Sequence, residues 1–437
     1  MSANVLVAFT ALVLAWSLVS ARVERLDVSG PILFVVAGLV LCNGPTGILT
    51  LTASTTGVHE VAEMTLVLLL FADASRVNPR DLRLSADMPV RLLAIGVPLT
   101  FALGSGLAAA LLTNVPWELA ALLGAVLAPT DAALSASVIS DESVPEAVRR
   151  ALNVESGLND GIAAPAVTAF LAASAVVLGV ASEHHASRPG TAALIDLAGG
   201  LAVGGVVGLV GGCAVRAAGT RGWIAPGGRR VAVFMLPLLA FAVSSELDVN
   251  YFVAAFVAGL AFRTAIRVDD AEAVELPELL GRILSLAVWF AFGAVLLVEG
   301  LQAADWRIGL YAVASLTVIR MVPVALSLIG SRANRPTILF VSWFGPRGLA
   351  SVVFGLLIVE ELPMADPAVR TVVSATVATV LLSVLAHGIS ARPLAAWLAR
   401  HPSHPHADRH PRTPIRTRHT LGQTASTRSR GDTVEPR

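Results

Sequence analysis

Acidic, hydroxyl and amide side chains lie inside two apolar segments of this chain, where together they could bind an ion. The first segment contains Gly124-Ala-Val-Leu-Ala-Pro-Thr-Asp131, and the second contains Leu152-Asn-Val-Glu-Ser-Gly-Leu-Asn-Asp160. Each segment is about long enough to cross a bilayer, which takes roughly 20 residues. A carboxylate at that depth costs about 3 kcal/mol or more unless it is paired, hydrated or binding something. The concentration of such groups therefore indicates a functional site.

Asp160 is the first candidate ligand. Ser156 lies four residues before it, so on a helix the hydroxyl and the carboxylate share one face. A hard cation such as Na+ prefers oxygen ligands, and Thr130 could supply another hydroxyl from the first segment. The pattern predicts binding of a metal cation by Asp160, Ser156 and Thr130. One carboxylate that holds either a proton or a cation, and never both, is already the core of an exchanger.

Glu155 and Asn159 have the same spacing and form an adjacent stripe. Glu155 needs a cationic partner at that depth, because an unpaired buried carboxylate is strongly destabilising. We expect this partner to be Arg347, whose guanidinium stays charged, so that the pair is structural and does not titrate. Asn159 is expected to bridge to Thr130. The alternative, a purely structural polar network, is disfavoured by the number of costly groups.

Two further acidic residues are candidates. Asp131 follows a proline-containing stretch, and we expect it to cap the N-terminus of a half-helix or to orient the broken backbone. Asp73 lies near the cytoplasmic end of the third apolar segment. It could be an ion-entry or ligand carboxylate, or it could belong to an interfacial network with Arg76, and the sequence favours neither interpretation.

Histidines inside the apolar segments predict no catalytic or zinc site. The stretch His59-Glu60-Val-Ala-Glu63 is similar to a zinc-protease helix, but its second histidine is missing. His387 lies near the end of the last apolar segment, where a packed or interfacial ring is expected.

The composition is typical of a helical membrane protein that crosses the bilayer many times. Hydrophobic residues make up 55% of the chain and charged residues 14%, whereas soluble chains carry about 25% charged residues. The net charge of zero gives no argument for nucleic acid, and the two cysteines form no disulfide framework. We predict an all-α polytopic fold of about thirteen transmembrane helices. The apolar segments are 4–20, 31–51, 59–75, 89–113, 118–139, 151–181, 190–217, 231–246, 250–266, 279–300, 307–330, 337–359 and 369–397.

Arginines alternate between the turns that join these segments. The turns after odd-numbered segments hold most of them, whereas the even-numbered turns hold only Arg188, Arg307 and Arg370. This alternation follows the positive-inside rule and predicts an external N-terminus and a cytoplasmic C-terminus. We therefore expect a multi-pass protein of the cytoplasmic membrane.

The two ends of the chain need separate interpretation. The first apolar segment could be a cleaved signal peptide, because residues 17–21 are mostly small, but no Lys or Arg precedes it, which favours an uncleaved helix. Residues 399–437 are rich in Pro, His, Arg, Ser and Thr and are predicted to form a disordered cytoplasmic tail. Its histidines could sense pH or bind metal, but a basic tail near anionic lipid is the favoured interpretation.

An inverted repeat would bring the candidate residues together. Segments four to six and eleven to thirteen would cross the membrane in opposite senses, as in many transporters. The middle segment of the first unit contains Ala128-Pro-Thr-Asp131, and that of the second contains Phe344-Gly-Pro-Arg-Gly348. Proline lacks an amide hydrogen and clashes with the preceding turn, so both middle helices are predicted to break there. A matched pair of interrupted helices indicates a transport site.

Three motifs together carry a family resemblance: Ala128-Pro-Thr-Asp131, Glu155-Ser-Gly-Leu-Asn-Asp160 and Gly345-Pro-Arg347-Gly348. They resemble the motifs of the cation:proton antiporter-1 family, which contains the bacterial sodium/proton antiporters of the NhaP type and the animal sodium/hydrogen exchangers. The resemblance covers residues 1 to about 398, including the number of segments and the order of the motifs.

The resemblance implies how the whole protein works. A dimerisation and scaffold domain would lie beside a mobile six-helix ion-binding core, in a homodimer. The core would be formed by the helices of about 89–181 and 307–397, within a transmembrane antiporter domain of residues 1–398. Elevator-like alternating access would exchange cytoplasmic Na+, or Li+ or K+, for H+ across the membrane, without a cofactor and without enzymatic chemistry.

Individual roles also follow from the resemblance. Asp160 would carry the cation and the proton, with Thr130 and Ser156 as ligands, while Glu155 and Arg347 would form the ion pair. Asn159 would be the structural partner, and because electrogenic relatives have a second Asp there, Asn implies one-for-one electroneutral exchange. The chain departs from the commonest pattern at Ala132, where many relatives have Pro, and Asp73 matches an acidic position that only some members share.

Two other functional classes remain as alternatives. A cation channel could use the same acidic residues as a filter, and its conductance would be independent of a proton gradient. An intramembrane enzyme could use Asp131 and Asp160 as an acid pair, but no second catalytic motif supports it. An antiporter is the leading hypothesis.

Overall fold

The computed structural model describes residues 3–24, 30–43, 47, 49, 56–77, 87–131, 134, 136–139, 141–180, 189–266, 272–331 and 333–401. Within these ranges every regular element is a helix, and the predicted all-α polytopic fold is confirmed. The predicted tail from residue 402 onward and Ala132 lie outside the described residues.

The helices are numbered here in chain order. They are α1 (Ala3–Glu24), α2 (Gly30–Asn43), α3 (Thr56–Arg76), α4 (Asp87–Leu111), α5 (Trp117–Val126), α6 (Ala136–Ile139), α7 (Glu146–Val177), α8 (Pro189–Thr220), α9 (Pro226–Glu246), α10 (Tyr251–Ile266), α11 (Glu275–Gln302), α12 (Trp306–Ser327), α13 (Arg335–Trp343), α14 (Leu349–Glu361) and α15 (Pro367–Ala399).

The described part of the chain contains 8 helices that are long and apolar enough to cross a membrane, together with shorter apolar helices such as α2, α5 and α10. Large apolar side chains are exposed on α1 and α8, among them Leu6, Leu14, Leu194 and Val206. Such surfaces suit lipid, because no part of the chain that the structure describes covers them. The chain is a multi-pass membrane protein, and the count of thirteen spans stays a prediction.

Two predicted helices are interrupted where the prolines lie. The first stops at Val126, and the next helix among the described residues begins at Ala136. The second stops at Trp343, and α14 begins at Leu349. We refer to residues 127–131 as the first break and to residues 344–348 as the second break. Each break frees backbone groups in the apolar interior, where every such group must be satisfied by the protein itself.

Helix α7 brings the polar residues of the second motif to these breaks. It packs against α5, which leads into the first break, and against α3, α10 and α14. Its side chains Glu155, Ser156 and Asn159 are all buried. The apolar residues around them, including Leu158 and Val167, belong to the main hydrophobic core. The core therefore fixes this helix with its polar stripe facing the breaks.

Candidate ion-binding site

Thr130 is the point at which α7 meets the first break. Its backbone carbonyl accepts a hydrogen bond from the Ser156 hydroxyl at 2.6 Å, and its hydroxyl oxygen accepts one from the Asn159 amide at 2.7 Å. The bridge predicted between Asn159 and Thr130 is present. The hydroxyl oxygens of Ser156 and Thr130 each keep at least one lone pair that could face a cation, since a hydroxyl oxygen has two. The side-chain carbonyl oxygen of Asn159 is buried without a hydrogen-bond donor among the described residues.

Asp131 joins the two breaks to each other. Its carboxylate accepts a hydrogen bond from the amide of Leu349 at 2.8 Å, and its own amide donates to the carbonyl of Pro346 at 2.8 Å. Asp131 therefore caps an N-terminus, as predicted, and the capped helix is α14 of the other break. A glycine is needed at 348, because a Cβ there would lie 2.1 Å from the Asp131 carboxylate.

Arg347 satisfies carbonyl groups that the breaks leave free. This side chain is fully buried, and its guanidinium donates to the carbonyls of Ala128 and Pro129, each at 3.3 Å. It also donates to the carbonyls of Gly345 and Ser315, each at 3.4 Å. The planar, always charged guanidinium suits this task, because its donors spread over several acceptors at once. Arg347 thereby holds both breaks and α12 together.

The ion pair predicted between Glu155 and Arg347 is wrong. Glu155 pairs with Arg320, whose two terminal nitrogens lie 2.5 and 3.0 Å from the two carboxylate oxygens. Both side chains are only 1% exposed. The physical reason is that the guanidinium of Arg347 donates its hydrogen bonds to carbonyls of the breaks, whereas that of Arg320 faces both oxygens of Glu155. The pair has the bidentate geometry that gives Arg–carboxylate contacts their strength.

Arg320 is the residue that sequence reasoning missed. It lies in α12 just after an irregular residue, Thr317, which divides this helix into Trp306–Leu316 and Val318–Ser327. A sequence signal was available, because an arginine in the middle of the apolar segment 307–330 is as costly as a carboxylate there. Arg347 was predicted as the partner instead, because it belongs to the motif of the second interrupted helix.

Asp160 and Asp73 are brought to the same face of α7. Asp160 follows Asn159 on this helix and is partly exposed. Gly157 lies one turn before Asp160, and a Cβ at Gly157 would lie 3.6 Å from the Cβ of Asp73 on α3. Arg76, the alternative partner of Asp73, forms an ion pair with Glu278. The roles of both aspartates as ligands stay predictions, as do those of Ser156 and Thr130.

Comparison with known proteins decides the family. A family model described as "Sodium/hydrogen exchanger, transmembrane" matches residues 8–397. The chain belongs to this sodium/hydrogen exchanger family. The predicted resemblance to cation:proton antiporters is confirmed.

Named relatives of this exchanger-family chain are antiporters. It is 25% identical over 404 residues to the K(+)/H(+) antiporter NhaP of Alkalimonas amylolytica, covering 87% of this chain and 64% of the relative. It is also 25% identical over 324 residues to a Na(+)/H(+) antiporter of Schizosaccharomyces pombe, covering 67% of this chain and 68% of the relative. The chain thus spans less than two thirds of the length of the first of these relatives.

The fold is similar to that of a solved antiporter. The sodium proton antiporter MjNhaP1 from Methanocaldococcus jannaschii at pH 8 matches with a TM-score of 0.72 and 22% identity, covering 90% of this chain and 99% of that chain. The two proteins therefore share the overall fold.

The Glu155–Arg320 pair gives a prediction about stability. Glu155→Gln or Arg320→Gln alone should lower the melting temperature of the purified protein in detergent, because each leaves one uncompensated buried charge, at about 3 to 5 kcal/mol. The double variant should recover most of the loss, because no charge is left unpaired.

Arg347→Gln provides the matched control. Combined with Glu155→Gln, it should not recover the melting temperature, because Arg347 binds carbonyls. If the melting temperature recovered in Glu155→Gln with Arg347→Gln but not in Glu155→Gln with Arg320→Gln, the pairing of Glu155 with Arg320 would be contradicted.

Proposed function

We propose that this chain is a secondary active transporter that exchanges a monovalent cation for H+. Na+ is the first candidate cation, and K+ and Li+ are the others. The observation that carries the proposal is the cluster of hydroxyl and amide oxygens from Thr130, Ser156 and Asn159, placed beside Asp160 where two interrupted helices meet. Membership of the exchanger family and the antiporter names of its relatives support it.

The proposed chemistry uses one carboxylate for two ions. Asp160 binds the cation together with the oxygens of Ser156 and Thr130, and releases it when a proton takes its place. The hydrogen atom of the Ser156 hydroxyl is directed to the Thr130 carbonyl, so its lone pairs are free to face a cation. Asn159 adds no charge, so one proton replaces one monovalent cation and the exchange is electroneutral.

The neighbouring charged groups have fixed roles in this scheme. Glu155 is neutralised by Arg320, and Asp131 is bound to the N-terminus of α14. These carboxylates hold the breaks in shape. Asp160 is the carboxylate that we assign to transport, because it extends the Thr130–Ser156–Asn159 cluster by one residue along α7.

Alternating access would move a core of helices α4–α7 and α12–α15 against a scaffold of the remaining helices. Among the described residues, the polar contacts that join these two parts include the following three. His59 Nδ1 lies 3.0 Å from a carboxylate oxygen of Glu360. The amide of Asn250 donates to the Thr168 hydroxyl at 2.7 Å, and the Ser374 hydroxyl donates to the carbonyl of Gly300 at 2.5 Å.

On the proposed topology these three contacts lie toward the external side of the membrane. With the N-terminus outside, α3 and α10 begin at the external surface and α14 ends there. The contacts would then close the external side while the ion site faces the cytoplasm, and opening to the outside would break them. We also propose that the protein lies in the cytoplasmic membrane as a homodimer whose subunits contact each other through the scaffold.

Asp160→Asn tests the proposed carrier. The variant should insert normally but lose exchange, because an amide cannot hold a proton and a cation in turn. The measurement is the collapse of an imposed pH gradient in proteoliposomes when Na+, K+ or Li+ is added separately. Asp248→Asn is the control, because this exposed turn residue has a positive φ of 53° that Asn also tolerates.

Normal cation-driven proton flux in the Asp160→Asn vesicles would refute the carrier role. Cation flux in the unmodified protein that persists without a proton gradient and does not saturate would favour a channel.

Cross-linking tests the relative movement of core and scaffold. In a background of Cys42→Ser and Cys213→Ser, cysteines at His59 and Glu360 should be joined by a short bifunctional thiol reagent. Exchange should then stop, because the link holds the external contact closed, and a cleavable reagent should allow recovery.

A matched cysteine pair lies within the scaffold. Tyr251 on α10 hydrogen-bonds Glu63 on α3, so cysteines at these two positions provide the control. Cross-linking of this control pair should leave the rate of cation/proton exchange unchanged. Full exchange after complete cross-linking of the 59–360 pair would rule out movement at this contact.

A further inference from the structure

Helix α15 runs beside the second break and presents two polar side chains to it. Ser383 and His387 lie one helical turn apart, and both are buried. Neither belongs to the motifs at the ion site. A buried imidazole in an apolar protein interior needs partners for both nitrogens, because an unsatisfied polar group there is costly.

The two side chains contact opposite ends of the second break. His387 Nε2 lies 2.9 Å from the carbonyl oxygen of Trp343, the last residue of α13. The Ser383 hydroxyl oxygen accepts a hydrogen bond from the amide of Arg347 at 2.7 Å. Arg347 comes two residues before Leu349, at which α14 begins. The contacts therefore span the break from one half-helix to the other.

The acceptors around the ring limit where its protons can lie. Carbonyl oxygens face both nitrogens at 2.9 Å, that of Trp343 at Nε2 and that of Ser383 at Nδ1. A carbonyl oxygen can only accept, so each nitrogen that carries a hydrogen donates it to the carbonyl in front of it. The Ser383 hydroxyl oxygen, which accepts from the Arg347 amide, also lies 3.3 Å from Nδ1.

One continuous polar network results. It joins the Arg347 amide, the Ser383 hydroxyl, the imidazole of His387 and the Trp343 carbonyl. Ring packing holds the imidazole in place, since it stacks on the Trp343 indole at 5.2 Å between centroids. The indole nitrogen itself donates to the Ser390 hydroxyl at 2.8 Å.

We propose that His387, acting with Ser383, is a positioning residue that sets the width of the second break and thereby the affinity of the ion site. The link to the site is short, because Arg347 contacts the first break and Leu349 binds Asp131. A wider second break would shift these contacts together with Thr130. The effect on affinity rests on the proposed antiport, whereas the brace itself does not.

Four variants separate bracing from simple packing. His387→Leu removes the polar contacts of both ring nitrogens, whereas His387→Gln keeps a donor for the Trp343 carbonyl. Ser383→Ala removes the acceptor for the Arg347 amide. Thr379→Val is the control. Among the described residues this buried hydroxyl bonds only the carbonyl of Ala375 in its own helix, and valine keeps the shape of threonine.

The first measurement is amide hydrogen exchange of the purified protein, followed in peptides that cover residues 344–349. Amide exchange there should be at least tenfold faster in His387→Leu and Ser383→Ala than in the unmodified protein. In Ser383→Ala the Arg347 amide loses its acceptor, and in His387→Leu that acceptor loses the ring that holds it in place. The exchange rate should stay within about threefold in His387→Gln and Thr379→Val. Unchanged protection in both His387→Leu and Ser383→Ala would overturn the proposal.

The second measurement is the KM and the maximal rate of cation-driven proton flux in proteoliposomes, with Na+, K+ and Li+ as the probes. His387→Leu should raise KM at least tenfold with a smaller change in rate, and His387→Gln should largely restore KM. Equal KM values in His387→Leu, His387→Gln and the unmodified protein would overturn the role of His387 in affinity. Absence of exchange in the unmodified protein, with the amide result as expected, would instead overturn the proposed function and leave the brace standing.

Discussion

Two interrupted helices inside an apolar protein set the central constraint on this structure. Each break leaves carbonyl and amide groups that no water in the bilayer can satisfy. The breaks solve this for each other: Asp131 of the first caps α14 after the second, and Arg347 of the second donates to carbonyls of the first. Neither break would be stable without its partner, so the crossing is one unit. An ion site built on it has fixed oxygen positions.

Carboxylates around this crossing have partners within the protein, so in the proposed antiport they do not compete with transport. The Glu155–Arg320 pair is bidentate and almost completely buried, which makes it part of the framework. Asn159 is neutral and binds Thr130, so it adds an oxygen without adding charge. Asp160, next along α7, is the remaining acid of the motif. In the proposed function, this single transport carboxylate exchanges one monovalent cation for one proton.

Sequence reasoning predicted both breaks, because proline disrupts the helix that contains it. It also predicted the long-range Asn159–Thr130 bridge, from the chemistry of the two side chains and their shared depth. It failed for the partner of Glu155, because long-range pairing depends on which guanidinium the carbonyls of the breaks occupy, and helix periodicity says nothing about that. The same limit applies to the proposed role of His387. This residue and Ser383 come next to Trp343 and Arg347 only when α15 packs against the second break.

The most direct test of the central claim is the dependence of the apparent KM for the cation on pH in proteoliposomes. If one carboxylate holds either ion, protons and cations compete for it. KM should then rise about tenfold for each unit that the pH falls over the range in which the site is mostly protonated, while the maximal rate at saturating cation stays constant. A KM that is independent of pH, with only the maximal rate changing, would contradict a shared carboxylate.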